Sequence, residues 1–450
     1  MRVIIIGAGE LGHLVAAKLC AVKHDVVVVD IQSEGLDRVK DSLDAMFLEG
    51  KGTSVKILKE AGAENADVLL ALSGDEASNV LASRIASKLG TKQTICRVYS
   101  RDIFSEKDGI TPEYLGIGVG FSSIEESIEL ISGILYNRIL LEKINFSNPS
   151  ARINVVKVPL NSEISGVQIK DLPCTELLGK IRIAAVVRNR DLLIPHGTTV
   201  LNPGDRVYVA GKVDDADDFV KWLSKDATHP ISRVIIAGAT RAGELLSEKM
   251  AGKGYDIRII ERNRDKAERL LNKLPPDAMV IDGDPTNADV LTEAGVAGCD
   301  VFVALSEQDE NNILSCLLAS RLGAQKLIAL TSKPEYIDIL PSLEQIGCWF
   351  NSTQIAANTV FRLMAGETVR VDAELGSMDA RLEEILVTKD KFRLANKRLA
   401  ECQLPPSLII SLVLRGDDVI PPTGDTVLQK GDVLVTIAGT EAINKLRKLL

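Results

Sequence analysis

The chain has 450 residues, of which 46% are hydrophobic and only 4% aromatic, and its formal net charge is −9. The length exceeds that of one domain, and the composition is that of a globular protein rich in buried strands. The acidic balance argues against nucleic acid or anionic lipid as a direct partner, and no apolar run reaches the ~20 residues of a membrane span. We therefore expect a cytosolic protein, and any connection to a membrane would run through a protein partner.

The seven cysteines lack CxxC spacing, and the four histidines are scattered along the chain. In apolar stretches such as Thr94–Val98 and Ile313–Ala319, cysteines are typical small core residues of a protein in a reducing cytosol. The pattern therefore predicts neither disulfides nor a zinc site.

Residues 1–120 alternate short apolar runs with helical patterns, beginning with VIIIGAGELG at 3–12. This order predicts a doubly wound parallel sheet with right-handed crossovers. The predicted strands are Val3–Ile6, Val26–Val29, Ala45–Leu48, Val68–Leu72, Ile95–Val98 and Leu115–Gly120. The predicted helices are Glu10–Ala21, Glu34–Leu43, Ser54–Ala61 and Glu76–Leu89.

A single long helix is predicted over residues 122–144. Ser122 and Ser123 precede two glutamates, which is a helix-start signal. Apolar residues then recur at helical spacing as far as Ile139, and the pattern extends towards Lys143. We expect this helix to link one subdomain to the next.

The next segment, residues 152–223, predicts a small β-rich module. RINVVKVPL and RIAAVVRN are strand-like, and the turn at 202–205 precedes a third strand, RVYVAG. A short amphipathic helix is predicted near Asp217–Leu223. The polar stretch Lys225–Ile231 is the predicted linker to the rest of the chain.

The remainder of the chain repeats this plan. Residues 234–243 read VIIAGATRAG, residues 291–312 match 58–79, and a second β-rich module ends the chain. Such self-similarity indicates two copies of one folding unit. We predict an α/β protein with two tandem Rossmann-like sheets, each followed by a β-rich subdomain. The predicted boundaries are 1–121, 122–144, 145–228, 231–352, 353–371 and 372–450.

The first copy carries a complete GxGxxG motif, the turn that binds dinucleotides. Gly7 permits the tight turn, Gly9 lets the backbone approach a pyrophosphate, and Gly12 allows close packing of the helix on the strand. The N-terminus of that helix offers N–H groups to phosphates. Asp30 ends the next strand, where its carboxylate would bind ribose hydroxyls and repel a 2′-phosphate. The motif therefore favours NAD over NADP, whereas the alternative is a glycine turn that serves packing alone.

Other residues at the carboxyl ends of the strands are candidates for the same cleft. Leu72, Ser73 and Gly74 end the fourth strand, where Ser73 could contact phosphate or ribose. Arg97 lies late in the fifth strand, and its partner would be either a phosphate or an internal acid. Thr53 follows the third strand and either joins the cleft or caps its helix.

The second copy is degraded. Its turn keeps Gly238 but has Thr240 in place of the middle glycine, so a side chain occupies the closest approach of a pyrophosphate. Glu261 retains the ribose acid, and Ser306 parallels the serine of the first copy. Arg241 either faces phosphate or is a solvated surface residue.

These motifs and their order resemble the TrkA family of Trk-type potassium uptake regulators. The resemblance covers the whole chain, and its specific parts are IIIGAGELG with Asp30, LKEAGAENADVLLAL, ICRVYS, IPHGTTVLNPGD, and a second round from VIIAGA through IERN to VLQKGDVLVTIAG. It implies two RCK units (regulators of potassium conductance), each a Rossmann domain followed by a β-rich domain. Two departures are Tyr99, where relatives often have a second arginine, and Thr240.

The resemblance also implies a function. Members are cytosolic rings, here a dimer or tetramer of the two-repeat chain, docked on a membrane potassium-translocating subunit of the TrkH or TrkG type. Binding of NAD(H), or of ATP or ADP, changes the shape of the ring and gates transport. The implied nucleotide contacts are Gly7, Ala8, Gly9, Glu10, Leu11, Asp30, Ser73, Gly74 and Arg97, then Gly238, Ala239, Thr240, Arg241, Ala242 and Glu261.

Two other functions remain open at this stage. An NAD-dependent dehydrogenase needs a proton donor or acceptor beside the nicotinamide, and His196 is the only histidine of the β-rich modules. A free-standing ligand-binding subunit of another transporter is the third possibility. The repeated organisation favours a regulatory subunit without catalytic activity.

Overall fold

The computed structural model describes residues 1–32, 43–160, 162–189, 191–224, 230–274, 278–343, 345–364, 370–374, 381–388, 394 and 397–449. The chain forms two compact units. One comprises residues 1–129, 331–336 and 350–366, and the other 130–330, 337–349 and 367–450. Segments 331–336 and 350–366 of the second repeat thus belong to the unit that contains residues 1–129. The units therefore do not coincide with the sequence repeats.

A six-stranded parallel sheet forms the first Rossmann half. Its strands are β1 (Arg2–Ile6), β2 (Asp25–Asp30), β3 (Met46–Glu49), β4 (Val68–Ala71), β5 (Gln93–Arg97) and β6 (Val119–Phe121). Its helices are α1 (Glu10–Ala21), α2 (Val55–Glu60), α3 (Glu76–Leu89) and α4 (Pro112–Leu115), with 3₁₀ turns at Ala63–Asn65, Arg101–Ile103 and Glu106–Asp108. The order β3-β2-β1-β4-β5-β6 is that of a doubly wound sheet.

The central strand β1 is buried on both faces, which explains its uninterrupted apolar sequence. Val3 and Ile5 pack on one side with α1, whereas Ile4 and Ile6 pack on the other side. Removing such side chains from water contributes about 1.5–3 kcal/mol each. An alternating strand pattern would leave a polar row in one of these cores.

One prediction for this half is wrong, and a second one cannot be compared with the described residues. The run Leu115–Gly120 was expected as a strand, but Leu115 ends α4 and the strand begins at Val119. Thr111 caps α4, Pro112 occupies its first turn, and Gly116 ends it with φ of +72°. The predicted helix Glu34–Leu43 lies outside the described residues apart from its last residue.

The crossover helix α5 (Ser123–Ile134) is shorter than predicted. It ends at Ile134, and the strand β7 (Leu140–Asn145) occupies residues expected to be helical. The Asn137 side chain accepts a hydrogen bond from the N–H of Ile139 and stabilises the turn between helix and strand. Residues 122–144 are therefore a helix, a turn and the start of the next sheet.

The β-rich module after α5 is a five-stranded antiparallel sheet. The strands after β7 are β8 (Ala151–Lys157), β9 (Ile181–Arg188), β10 (Asp191–Leu193) and β11 (Arg206–Lys212), in the order β10-β9-β11-β8-β7. The helices are α6 (Thr175–Leu178) and α7 (Val213–Ser224), with a 3₁₀ turn at Ile169–Asp171. The predicted linker Lys225–Ile231 lies mostly outside the described residues.

The second Rossmann half repeats the first. Its strands are β12 (Arg233–Ala237), β13 (Asp256–Glu261), β14 (Met279–Asp282), β15 (Val301–Ala304), β16 (Lys326–Thr331) and β17 (Cys348–Asn351), in the order β14-β13-β12-β15-β16-β17. Its helices are α8 (Arg241–Met250), α9 (Arg264–Leu271), α10 (Ala288–Glu293), α11 (Asp309–Leu322) and α12 (Glu335–Ile339), with 3₁₀ turns at Val296–Gly298 and Leu340–Ser342.

A second crossover helix and β-rich module complete the chain. The helix is α13 (Ser352–Met364), and the strands are β18 (Arg370–Glu374), β19 (Arg381–Leu386), β20 (Leu408–Arg415), β21 (Asp418–Ile420) and β22 (Val433–Ala438). The 3₁₀ turn Leu399–Glu401 and the terminal helix α14 (Thr440–Leu449) accompany the sheet order β18-β19-β22-β20-β21. The predicted class of two parallel Rossmann-like sheets with two β-rich modules is confirmed.

The crossover helix α13 packs on α1, the helix that follows the first glycine loop. Its buried Ala357 and Val360 share one core with Leu11 and Val15 of α1. The small side chain of Ala357 favours a close approach of the two helices. This contact lies within one compact unit, and it joins the second repeat to the helix of the first candidate site.

Candidate functional site

The first glycine loop connects β1 to α1 at the carboxyl edge of the sheet. Gly7 has a φ of +103°, and a Cβ atom there would lie 2.9 Å from the backbone N and Cα of Ser73. Both the left-handed backbone and the contact with the loop after β4 require glycine. Gly12 faces the carbonyl oxygen of Gly7 so closely that any side chain would overlap it.

Gly9 differs from these two glycines, because neither its backbone nor its surroundings require glycine. Its φ of −65° and ψ of −178° are extended values open to any residue, and no described atom lies within 4 Å of a Cβ built on it. Gly9 occupies the N-cap position of α1, and no described side chain caps that helix. Among the described residues the N-terminus of α1 therefore lacks a capping side chain, and such a helix terminus is a common site of phosphate binding.

Asp30 at the end of β2 is held against the glycine loop. Its Oδ2 accepts a hydrogen bond of 2.6 Å from the N–H of Ala8, and its Oδ1 accepts one of 2.9 Å from the N–H of Gln32. The carboxylate is therefore fixed in orientation, and its remaining lone pairs are available to a ribose.

Sequence reasoning missed Asn79, which joins the two other loops of the cleft. Its Oδ1 accepts from the N–H and the hydroxyl of Ser73, and its Nδ2 donates to the carbonyls of Ser73 and Arg97 at 2.9 and 3.0 Å. The side chain is 1% exposed. The signal was present, since Asn79 and Asn312 close the matching segments 58–79 and 291–312.

Arg97 ends β5 and is half-buried. Burial lowers the pKa of its guanidinium, and none of the described carboxylates forms an ion pair with it. The alternative of an internal salt bridge thus finds no support among the described residues. A half-buried cation at the carboxyl edge, without a paired acid, fits an anionic ligand. The neighbouring Tyr99 is 59% exposed.

The remaining candidates of the first half lie around this loop. Ala8 and Leu11 are buried, whereas Glu10 is exposed in the first turn of α1. Leu72 is buried, and its N–H donates to the carbonyl of Ile6. Thr53 is not the cap of its helix, because Ser54 occupies the N-cap position of α2. Thr53 stays a candidate for the cleft.

The second loop has the same backbone but different chemistry. Glu261 accepts from the N–H groups of Ala239 and Asn263, both at 2.8 Å, as Asp30 does in the first copy. Thr240, in the N-cap position of α8, accepts from the N–H of Gly243 and donates a hydrogen bond of 2.7 Å to the carbonyl of Leu305. Its hydroxyl thus satisfies the helix terminus that is open in the first copy.

Charges differ as well around the second loop. Arg241 forms an ion pair of 3.4 Å with Glu244, and its side chain is only 17% exposed. It is therefore not a solvated surface residue. Asn312 makes the same hydrogen bonds as Asn79, to Ser306 and to the carbonyl of Leu330. Leu330 is therefore the equivalent of Arg97, and an apolar residue replaces the arginine of the first cleft. The sequence placed this position within Ile328–Thr331. Gly238 keeps the left-handed turn with φ of +114°, and Ala242 is buried.

Comparison with known proteins identifies the family. The TrkA-N domain model matches residues 3–107 and 234–347, and the TrkA-C domain model matches residues 155–224 and 382–450. Each Rossmann half thus carries one domain type, and each β-rich module the other. The chain belongs to the TrkA family. The resemblance inferred from the motifs is confirmed.

Two TrkA relatives match over all or nearly all of their length. The Trk system potassium uptake protein TrkA homolog of Archaeoglobus fulgidus is 30% identical, and the match covers 100% of both chains. TrkA of Vibrio alginolyticus is 25% identical over 97% of this chain and 95% of its own. The GsuK RCK domain has a TM-score of 0.63 at 18% identity, covering 100% of this chain and 94% of that chain, and the likeness shows the fold.

The described residues were also compared with the requirements of a metal site, a membrane span and a reactive thiol in this TrkA family member. Among the described residues, no cluster of histidine, cysteine and acidic side chains could hold a metal ion. No helix in the described part of the chain has the length and apolarity to cross a membrane. All seven cysteines are free thiols, and burial raises the pKa of Cys96 to about 12, so that thiol is unreactive.

Proposed function

We propose that this chain is a nucleotide-sensing regulatory subunit that binds NAD(H) in the first Rossmann cleft. Through a membrane partner it would gate potassium transport. The observation that carries the proposal is the open N-terminus of α1 beside the fixed carboxylate of Asp30, in a chain of the TrkA family. In this arrangement the pyrophosphate would bind at Gly9 and the adenosine ribose at Asp30.

The charges of the cleft favour a dinucleotide with a free 2′-hydroxyl. A 2′-phosphate would lie beside the Asp30 carboxylate and be repelled, which disfavours NADP. Arg97 is the cation that would face a phosphate of the ligand. Tyr99 offers no second cation for the longer phosphate chain of ATP. We therefore expect NADH or NAD to bind more tightly than ATP, with ADP between them.

We further propose that the second cleft does not bind a dinucleotide in the same way. Thr240 fills the position that must be open for a pyrophosphate, and its hydroxyl already caps α8. Glu244 adds a negative charge in the first turn of that helix. The second Rossmann half would then respond to ligand binding in the first half without binding a dinucleotide itself. Its own glycine loop would stay fixed by Thr240.

A route for the signal leaves the first cleft along two helices. The N-terminus of α1 would carry the phosphates, and α13 packs on the same helix. Glu126 at the start of α5 accepts from Arg101, just after β5, and from Arg362 of α13 at 3.0 Å. A ligand that shifts α1 would therefore also shift α13, which packs on it, and a ligand that shifts the segment after β5 would act on both crossover helices through Glu126. Packed helices shift between discrete arrangements, so that such a movement can be transmitted.

We propose a cytosolic ring of two or four chains that docks on a membrane potassium-translocating subunit of the TrkH or TrkG type. Leu81 on α3 and Leu314 on α11 occupy equivalent positions in the two halves and are 50% and 47% exposed. A repeated apolar position of this kind suits contacts between copies. A region of the GsuK channel bound to NAD, 78% of that chain, has the same fold.

The proposal is tested by calorimetric titration of the purified chain with NADH, NAD, NADPH, ATP and ADP, followed by small-angle scattering. We expect one site per chain for NADH, weaker binding of NADPH, and a change in the scattering curve with NADH. No binding of any of these nucleotides would remove the sensing function. Absorbance at 340 nm with a panel of hydroxy acids should stay constant, because His196 is an exposed turn residue. Oxidation or reduction of the cofactor would instead favour a dehydrogenase.

A further inference from the structure

The second Rossmann half contains a buried lysine with an unusual set of partners. Lys326 is the first residue of β16 and is 4% exposed. Its ammonium donates three hydrogen bonds to carbonyl oxygens, those of Ile134 at 2.7 Å, Asn137 at 2.8 Å and Leu140 at 2.6 Å. No described carboxylate pairs with it. All four residues belong to the same compact unit.

The three acceptors match the three donors of an ammonium group. Ile134 is the last residue of α5, where carbonyls lack intrahelical partners and the helix dipole is negative. Asn137 and Leu140 lie in the turn and at the start of β7, so the ammonium joins a helix end, a turn and a strand. A lysine is almost never fully buried unless all of its hydrogen bonds are satisfied, as they are here.

The first Rossmann half has an equivalent contact of different strength. Gln93 is the first residue of β5, as Lys326 is of β16. Its Nε2 donates a single hydrogen bond of 3.0 Å to the carbonyl of Leu363, in the last turn of α13. In each half the residue that opens the fifth strand therefore holds the carboxyl end of the crossover helix of the other repeat. In the first half the contact is one hydrogen bond from a neutral amide, and in the second half it is three hydrogen bonds from a cation.

A second cation adds to the contact between Lys326 and the segment after α5. Arg138, in the turn after α5, forms an ion pair with Asp300, which precedes β15. Asp300 also accepts from the N–H groups of Ser232 and Arg233 at 2.7 and 2.9 Å. The turn after α5 is thus fixed to the amino edge of the second sheet at two places, opposite the edge that carries the glycine loop.

We propose that Lys326 is the positioning residue that makes the second Rossmann half follow movements of the crossover helix α5. The inference deepens the proposed function, on which its regulatory meaning rests. With the ammonium in place, a displacement of the end of α5 must drag β16 with it or break three hydrogen bonds at once. The side-chain amide of Gln93 donates only one hydrogen bond to the other crossover helix, α13, and therefore restrains that helix less.

The test is hydrogen exchange on the full-length chain, read at residues 135–141 and in peptides of both Rossmann halves, with and without NADH. Lys326→Met removes all three bonds, and Lys326→Gln leaves an amide like that of Gln93. Lys92→Gln is the matched control, because Lys92 lies one position before Gln93 and its side chain is 74% exposed. Calorimetry on the same samples measures the affinity of the first cleft for NADH.

We expect exchange at 135–141 to rise at least tenfold in Lys326→Met and less in Lys326→Gln, with Lys92→Gln unchanged. NADH affinity should stay within about twofold of wild type, and the response of the second half to NADH should disappear while that of the first half persists. If hydrogen exchange at residues 135–141 is unchanged in a folded Lys326→Met variant, Lys326 does not hold the end of α5. This result overturns the proposal whether or not NADH binds. A second-half response that survives loosening of 135–141 also overturns it. If the wild-type chain does not bind NADH, the proposed function fails separately.

Discussion

The hydroxyl of Thr240 donates to the carbonyl of Leu305 and caps α8, whereas the equivalent residue Gly9 leaves the N-terminus of α1 open. The backbone is nearly the same at both positions, with ψ of 174° and −178°. At this position the two glycine loops therefore differ by a side chain and not by the fold of the backbone.

Replacing Gly9 by threonine should convert the first loop into a copy of the second. Because the backbone is extended and the space is open, the variant should fold with an unchanged or slightly higher midpoint of thermal unfolding. NADH affinity should fall at least tenfold, which is about 1.4 kcal/mol. Gly9→Ala is the control of intermediate size. Wild-type affinity in Gly9→Thr would show that the ligand does not approach this residue.

Gly7→Ala should destabilise the first half rather than act on the ligand alone. The new Cβ would need a left-handed backbone and would press on the backbone of Ser73. We expect a loss of about 2–3 kcal/mol in the free energy of unfolding. Gly74→Ala is the matched control, since no described atom lies within 4 Å of its Cβ position. Equal urea midpoints for the two variants would contradict the argument.

Asn79→Leu should affect both stability and ligand binding. The substitution leaves the N–H of Ser73 and the carbonyl of Arg97 without their buried partner, which typically reduces the free energy of unfolding by about 1–3 kcal/mol. Asn312→Leu should cause a similar loss of stability. In NADH titrations only the Asn79 variant should lose affinity, because its hub positions the loops of the first cleft. A loss in both variants would show that the second cleft contributes to binding.

The stability of the second half should depend on pH through Lys326. Burial lowers the pKa of its ammonium from 10.5 to about 8, so between these values the unfolded chain binds more protons than the folded one. The contribution of this group to the free energy of unfolding therefore rises with pH across that window. Cys348 on β17 is the titratable group whose charge acts on it, and burial raises the pKa of that thiol.

Urea unfolding of wild type and Lys326→Gln at pH 7.5 and pH 10 measures this effect. The difference between the two proteins should shift in favour of wild type by about 2 kcal/mol at the higher pH. Effects of titrating groups that do not interact with Lys326 cancel in the comparison, whereas the thiol of Cys348 interacts with it. A difference that does not depend on pH would mean that Lys326 titrates as an exposed lysine does.

Much of this architecture could be predicted from the sequence because local and tertiary signals agree. Both glycine loops, the acids Asp30 and Glu261, and the strand order of both halves follow from spacing and apolar runs. The end of α5 could not be predicted, since Leu135 and Ile139 continue the helical pattern. The carbonyls of Ile134 and Asn137 accept hydrogen bonds from Lys326, which lies far away in the sequence, and a local pattern does not reveal such a contact. The hub residue Asn79 was missed because an asparagine inside a helix has no unique local signature.

The most direct test of the central claim compares two equivalent acids. Asp30→Asn and Glu261→Gln each replace one carboxylate oxygen by an amide group, at the first and the second loop respectively, and the remaining oxygen can still accept a backbone hydrogen bond. Calorimetric titration with NADH should show at least a tenfold loss of affinity in Asp30→Asn and wild-type affinity in Glu261→Gln. Wild-type affinity in a folded Asp30→Asn variant would contradict the account, because the nucleotide would then bind elsewhere than in the first cleft.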